Sequence, residues 1–162
     1  MKDLNQLLLN FNYNQNFNYD DFFVSKSNYF AFELIEKWPY WEKNILNIYG
    51  EKFSGKSHLA NIFYKKNKGK KISENQLNDE IFKELRLHEN IILDDFNNKT
   101  NERLLYSLFN LVDNNNKYLL INSLNPINEM NFNLDDLKSR SKNCLLAKIE
   151  NPDDELMFAI IL

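Results

Sequence analysis

The 162-residue sequence predicts an α/β domain, a mostly parallel sheet of about five strands flanked by helices. Three observations predict it. Short continuous apolar runs such as Ile91-Ile92-Leu93 have the composition of strands buried on both faces of a parallel sheet. Between them lie segments whose apolar residues return every third or fourth position, as a helix requires. Strands and helices alternate along the chain without internal repeats, which calls for β-α units.

The elements follow in order. Residues 1–21 are Asn-rich and aperiodic, with one apolar cluster at Leu7, Leu8, Leu9 and Phe11. They are expected to form a flexible arm carrying a short linear motif, ahead of a domain over 22–162. Phe30, Ala31, Leu34 and Ile35 place a helix over Ser27–Lys37, stopped by Pro39. Ile45–Tyr49 reads as a strand and Lys56–Lys66 as the helix after it. A brief strand is expected at Lys71–Ser73, then a helix over Glu74–His88 through Leu77, Ile81, Phe82 and Leu85. The Ile91–Leu93 strand precedes a helix marked by Leu104, Leu105, Leu108, Phe109 and Val112. Tyr118–Ile121 is the next strand, Leu134–Arg140 a short helix and Cys144–Ile149 the last strand. Pro152 opens a final helix.

Bulk composition narrows the function classes. Hydrophobic residues make up 43% of the chain, enough for a core. A net charge of -3 argues against a general nucleic-acid coat, and the lysines at 65, 66, 68, 70 and 71 read as a solvated helix end and loop. A single cysteine, Cys144, excludes an internal disulfide and a Cys-based zinc cluster, and its apolar neighbours imply an inert buried thiol. No targeting signal opens the chain and no apolar run approaches membrane-spanning length, so a soluble cytoplasmic protein without a membrane partner is expected.

Chemistry concentrates in Gly50-Glu51-Lys52-Phe53-Ser54-Gly55-Lys56-Ser57, which fits G-x-x-x-x-G-K-[ST] between a strand and a helix. Such a loop turns backbone N–H groups inward as an anion nest, at a helix N-terminus that adds partial positive charge. Gly50, Ser54, Gly55, Lys56, Ser57 and the adjoining His58 are therefore the nucleotide-binding set for ATP or ADP. Lys56 would reach the β- and γ-phosphates, and the Ser57 hydroxyl would bind Mg²⁺. The second half of the site is Ile91-Ile92-Leu93-Asp94-Asp95, an apolar strand ending in carboxylates. Asp94 is the expected second magnesium contact, and Asp95 the group that orients or polarises the attacking water. A parallel sheet brings these strand ends to one edge. Together the two motifs predict a P-loop NTPase.

An ordered set of further segments carries a resemblance. Phe22-Phe23-Val24-Ser25-Lys26-Ser27-Asn28, the loop with Ser57-His58-Leu59, Asp94-Asp95 and Leu137-Lys138-Ser139-Arg140 together resemble the AAA+ base of the bacterial replication initiator DnaA. Trp38-Pro39-Tyr40-Trp41 and Asn151-Pro152-Asp153-Asp154 are similar to the shorter DnaA-related regulators of the Hda type. The resemblance implies that Asn28 lies beside the adenine pocket. It implies that Asn122 is a sensor of the γ-phosphate or lytic water, rather than only a polar strand end. It also makes Arg140 an arginine finger serving a neighbouring subunit, rather than a surface helix residue. In the arm, Gln6-Leu7-Leu8-Leu9-Asn10-Phe11 resembles the peptide with which Hda-like proteins dock on the DNA-polymerase sliding clamp. Gln6, Leu7, Leu9 and Phe11 would carry that contact, unless the segment is an edge strand of the domain.

The implied partners are the sliding clamp, DnaA itself and further AAA+ copies of this chain. The implied activity is at most a weak ATPase that promotes hydrolysis of DnaA-bound ATP. Phe53 stands where this loop usually has Gly, so an altered backbone is expected there. The helical lid and a helix-turn-helix domain are expected to be absent, which removes sequence-specific DNA binding. Two other readings stay open: a self-sufficient P-loop ATPase such as a helicase loader, and a non-hydrolysing P-loop adaptor.

Overall fold

Alternation inside the apolar runs decides which face of the sheet each residue covers. A computed structural model describes residues 22–161. Its strands are β1 (Ile45–Tyr49), β2 (Lys70–Ser73), β3 (Asn90–Phe96), β4 (Tyr118–Ser123) and β5 (Leu145–Lys148). They form one sheet in the order β2-β3-β4-β1-β5, every pairing parallel. Successive strand side chains point to opposite faces, so Ile91, Leu93, Leu119 and Ile121 enter one buried cluster while Ile92 and Leu120 enter another.

Helices cover both clusters. On the Ile92 face lie α1 (Tyr29–Lys37), through Ala31 and Ile35, and α2 (Lys56–Asn67), through Leu59, Ala60, Ile62 and Phe63. The Ile91 face is covered by α3 (Ile81–Leu85), α4 (Glu102–Asn114) and α5 (Asp135–Ser141). Each fully buried Leu, Ile or Phe there stabilises by roughly 1.5–3 kcal/mol. Trp38 and Trp41 also take a packing role: their rings lie 5.5 to 5.9 Å from those of Phe63 and Tyr118. A final helix, α6 (Asp154–Ile161), begins two residues after Pro152, and Asp153 caps it by accepting the Leu156 N–H.

Among the described residues, one expected element differs in kind. The helix expected over Glu74–His88 is instead a 3₁₀ turn at Glu74–Gln76, an extended Leu77 and the short α3. Two side chains explain the break. Asn78 accepts the Glu80 and Ile81 N–H groups through Oδ1 and so starts α3 afresh. Glu74 turns its carboxylate to another loop altogether. Leu77, Phe82 and Leu85 are still buried in one cluster, so their spacing reports burial rather than continuous helix.

Register brings the functional ends together. Ile48 pairs with Asn122 and Leu93 with Ile121, which sets the C-terminal ends of β1, β3 and β4 along one edge. There the connection leaving β1 crosses the sheet one way, to β2, and the connection leaving the adjacent β4 runs the other way, to β5. Such a switch point leaves a crevice at the strand ends.

Candidate functional site

The loop from β1 to α2 is dictated by backbone space. A Cβ on Gly50 would lie 2.6 Å from the Ile149 carbonyl oxygen, so only glycine fits. Gly55 has φ 102° in the left-handed region, where glycine carries no steric penalty. Phe53 also sits there, at φ 61°, with its side chain wholly exposed. The turn keeps the conformation that favours glycine and bears a strain of roughly 1–2 kcal/mol for doing so. At the start of α2 the first-turn N–H groups have no partner within the helix, the arrangement that receives an anion.

Three elements then converge. The Lys56 Nζ donates to the carbonyls of Gly50, at 2.7 Å, and Glu51, at 2.6 Å, and to Ser54 Oγ at 3.3 Å. Burial pulls its ammonium below the ordinary lysine value, while Asp94, Asp95 and Glu51 pull it back up. Ser57 Oγ donates to Asp94 Oδ1 at 3.1 Å. Asn122, fully buried at the end of β4, donates through Nδ2 to the same Oδ1 at 3.0 Å and to the Lys56 carbonyl at 2.8 Å. Lys56, Ser57, Asp94 and Asn122, expected from three separate stretches of sequence, are thus one hydrogen-bonded group.

Asp95 stands at an irregularity in the β3–β4 register, with φ 56°. A non-glycine residue held there costs on the order of 1–3 kcal/mol, a feature that recurs at functional sites. Its side chain is exposed at the same edge. Just beyond it, Glu74 accepts the N–H groups of Asn97, Lys99 and Thr100 with one buried carboxylate. Sequence reading missed this anchor, and its only local signal was a carboxylate directly after a short strand. Also unforeseen, Lys71 Nζ lies 3.2 Å from Asp94 Oδ2. It belongs to the lysine run expected to be merely solvated, in which Lys66 pairs with Glu36 and Lys70 with Glu84.

The remaining expected residues lie farther from this group. Phe22 packs beside the loop: its ring is 5.1 Å from that of His58 and would meet a Cβ on Gly55 at 3.4 Å. Asn28 is buried, but its amide is engaged locally, accepting the Ser25 N–H and donating to the Phe23 carbonyl, both at 2.9 Å. It shapes the segment beside the loop. Arg140 lies near the end of α5, paired with Asp113 and with its guanidinium 5.3 Å from the centre of the Tyr106 ring. The structure does not join it to the Lys56 group. Gln6, Leu7, Leu9 and Phe11 lie outside the described residues. Cys144 is buried, and that burial pushes its thiol up to about 12.

These groups fit a nucleoside polyphosphate and a hard divalent cation. Gly50 and Gly55 leave the backbone room for phosphate, and a hydroxyl and a carboxylate oxygen 3.1 Å apart are the donors magnesium prefers. Asn122 Oδ1 is a buried acceptor without a partner among the described residues. Among the described residues no group of three or more His, Cys, Asp or Glu side chains gathers as an all-protein metal cage. No described helix is long and apolar enough to cross a membrane.

Comparison with known proteins adds the following. A family described as RNA helicase matches over residues 46–142. A search of the curated proteins returns no match. Among solved structures, a DNA replication initiation factor aligns with a TM-score of 0.72 at 23% identity, covering 91% of this chain and 53% of that one. Domain III of the replication initiation protein DnaA from Thermotoga maritima aligns at 0.69 and 23%, covering 88% and 70%. AMPPCP-bound DnaA from Aquifex aeolicus aligns at 0.71 and 21%, covering 91% and 54%. The chain thus spans about half the length of the first and third of these. Likeness at this identity establishes the fold alone: these replication proteins share the five-stranded parallel sheet flanked by helices.

Proposed function

The chain belongs to the family described as RNA helicase, and we propose that it is a nucleotide-binding AAA+ regulator of bacterial replication initiation. The observation that carries the nucleotide reading is the Lys56–Ser57–Asp94–Asn122 group at the switch point of the sheet. Binding of AMPPCP by a DnaA of the same fold supports it.

In this reading the loop N–H groups and Lys56 bind the phosphates of ATP or ADP. Ser57 and Asp94 hold Mg²⁺, which when bound neutralises charge on the phosphate oxygens. Asp95 orients the attacking water, and Asn122, whose Nδ2 faces Asp94, is the sensor residue. His58 and Phe22 pack edge to face beside the loop. Arg140, half-buried on α5 and paired with Asp113 beside Tyr106, serves a second AAA+ subunit in this reading, where it stabilises charge on the transferring phosphoryl group. Gln6, Leu7, Leu9 and Phe11 dock the chain on the sliding clamp, and DnaA bearing ATP is the subunit that Arg140 serves.

Two measurements test the regulatory part. Clamp fixed to a surface should retain the wild type and release a variant with Leu9 and Phe11 changed to Ala, because apolar anchors dominate peptide docking. With clamp loaded on DNA, the chain should speed hydrolysis of DnaA-bound ATP. At matched clamp occupancy the Arg140→Ala variant should lose that stimulation. Equal stimulation by both would remove Arg140 from the role.

The family description supports a second reading, a self-sufficient ATPase acting on a nucleic-acid strand. Against it stand the net charge of -3 and the pairing of Lys66, Lys70 and Lys71 with carboxylates. ATP turnover stimulated by single-stranded RNA or DNA, without clamp or DnaA, would favour that reading.

A further inference from the structure

Lys71 stands where a P-loop site needs no cation of its own. It lies on β2, in register with Ile92 of β3, so its side chain and that of Asp94 extend from the same face, the one covered by α2. Its Nζ is held between Asp94 Oδ2, at 3.2 Å, and Asn61 Oδ1, at 2.8 Å. Asn61 lies on α2 one turn beyond Ser57. The Asp94 side chain is only 15% exposed, so this contact is screened less than a surface ion pair. Asp94 therefore has both oxygens engaged: Oδ1 by Ser57, Asn122 and its neighbour's N–H, and Oδ2 by a full positive charge.

We propose that Lys71 is an internal counter-charge at the metal subsite, which weakens Mg²⁺ at Asp94 and lets the site hold a nucleoside diphosphate with little dependence on metal. The inference rests on the nucleotide reading of the site. Two physical effects act in the same direction. A cation beside Asp94 repels a second cation bound through the same carboxylate and Ser57. In the metal's absence, the same ammonium keeps Asp94 from repelling the phosphates. Like charges a few ångströms apart in a partly buried site interact by more than 1 kcal/mol, so an effect of about tenfold is expected.

The test is calorimetry of ADP binding to the full chain, in saturating Mg²⁺ and in EDTA, for wild type, Lys71→Met and Lys71→Arg. The readout is the dissociation constant in EDTA divided by that in Mg²⁺. In Lys71→Met that ratio should grow about tenfold over wild type, while Lys71→Arg, which keeps the charge, should stay near wild type. A Lys71→Met ratio within about twofold of wild type overturns the proposal, as does an Arg variant that behaves like the Met variant. Should Lys71→Met not fold by circular dichroism, Lys71→Gln carries the same comparison. Wild-type protein that binds no ADP in either condition overturns the nucleotide reading as well, whereas binding with an unchanged ratio removes only the role of Lys71.

Discussion

Two loops meet at the nucleotide edge and are held by opposite means. The loop after β1 is held from within: Gly50 and Gly55 supply backbone conformations that other residues resist, and Lys56 ties its own carbonyls. The loop after β3 is held from outside, by the Glu74 carboxylate that arrives from the end of β2 and takes three N–H groups. A self-held loop tolerates change elsewhere and is sensitive to its own glycines. An anchored loop is only as ordered as a single distant side chain. Asp95, the group expected to orient water, is the next-to-last residue of β3 and leads directly into the second kind.

Gly50→Ala should have the largest effect. The new Cβ would meet a backbone oxygen that cannot rotate away, so the loop and Ile149 must move apart. A loss of about 3 kcal/mol is expected, seen as a lower midpoint in thermal unfolding, together with loss of ADP binding. A variant with wild-type stability and affinity would break the claim that the first loop is set by backbone space.

Glu74→Ala should come next, at about 1–3 kcal/mol, because three part-buried N–H groups lose a charged acceptor. Its signature is regional. Hydrogen exchange at Asn97, Lys99 and Thr100 should speed up while the β1–α2 loop stays protected. ADP affinity should remain within about threefold of wild type, since the phosphate contacts are untouched. Equal loosening of both loops would erase the contrast between them.

Phe53→Gly is the mildest and has the opposite sign. Release of a left-handed phenylalanine, partly offset by the greater freedom of glycine in the unfolded chain, should stabilise by about 0.5–1 kcal/mol. Because the ring is wholly exposed, no packing is lost. Destabilisation in denaturant titration would show that Phe53 has contacts this account does not assign.

How legible each loop is in sequence follows from the same contrast. The phosphate loop, its lysine and serine, and the carboxylates ending β3 are written in contiguous residues, so spacing alone finds them. Four strands are legible as apolar runs, although β3 runs on to Phe96 and β4 to Ser123, whereas β2 has a single apolar residue, Ile72, and gives only a faint signal. Glu74 and Lys71 were not legible, because their roles depend on β2 lying beside β3, and no local pattern encodes strand order. Asn47 is similar: buried in β1, it donates to Ser123 Oγ and accepts the Ile127 N–H, holding the turn after β4 from another strand. Helical spacing misled at Glu74–His88, because two short turns can bury the same face as one helix.

The central claim is that Lys56, Ser57, Asp94 and Asn122 form a nucleotide site, and calorimetry with ADP and Mg²⁺ on wild type and Lys56→Ala tests it most directly. Removing a charge-assisted contact to phosphate, worth on the order of 2 kcal/mol, predicts an affinity weakened at least tenfold in a variant that still unfolds cooperatively near the wild-type midpoint. Equal affinity in the two proteins would contradict the assignment.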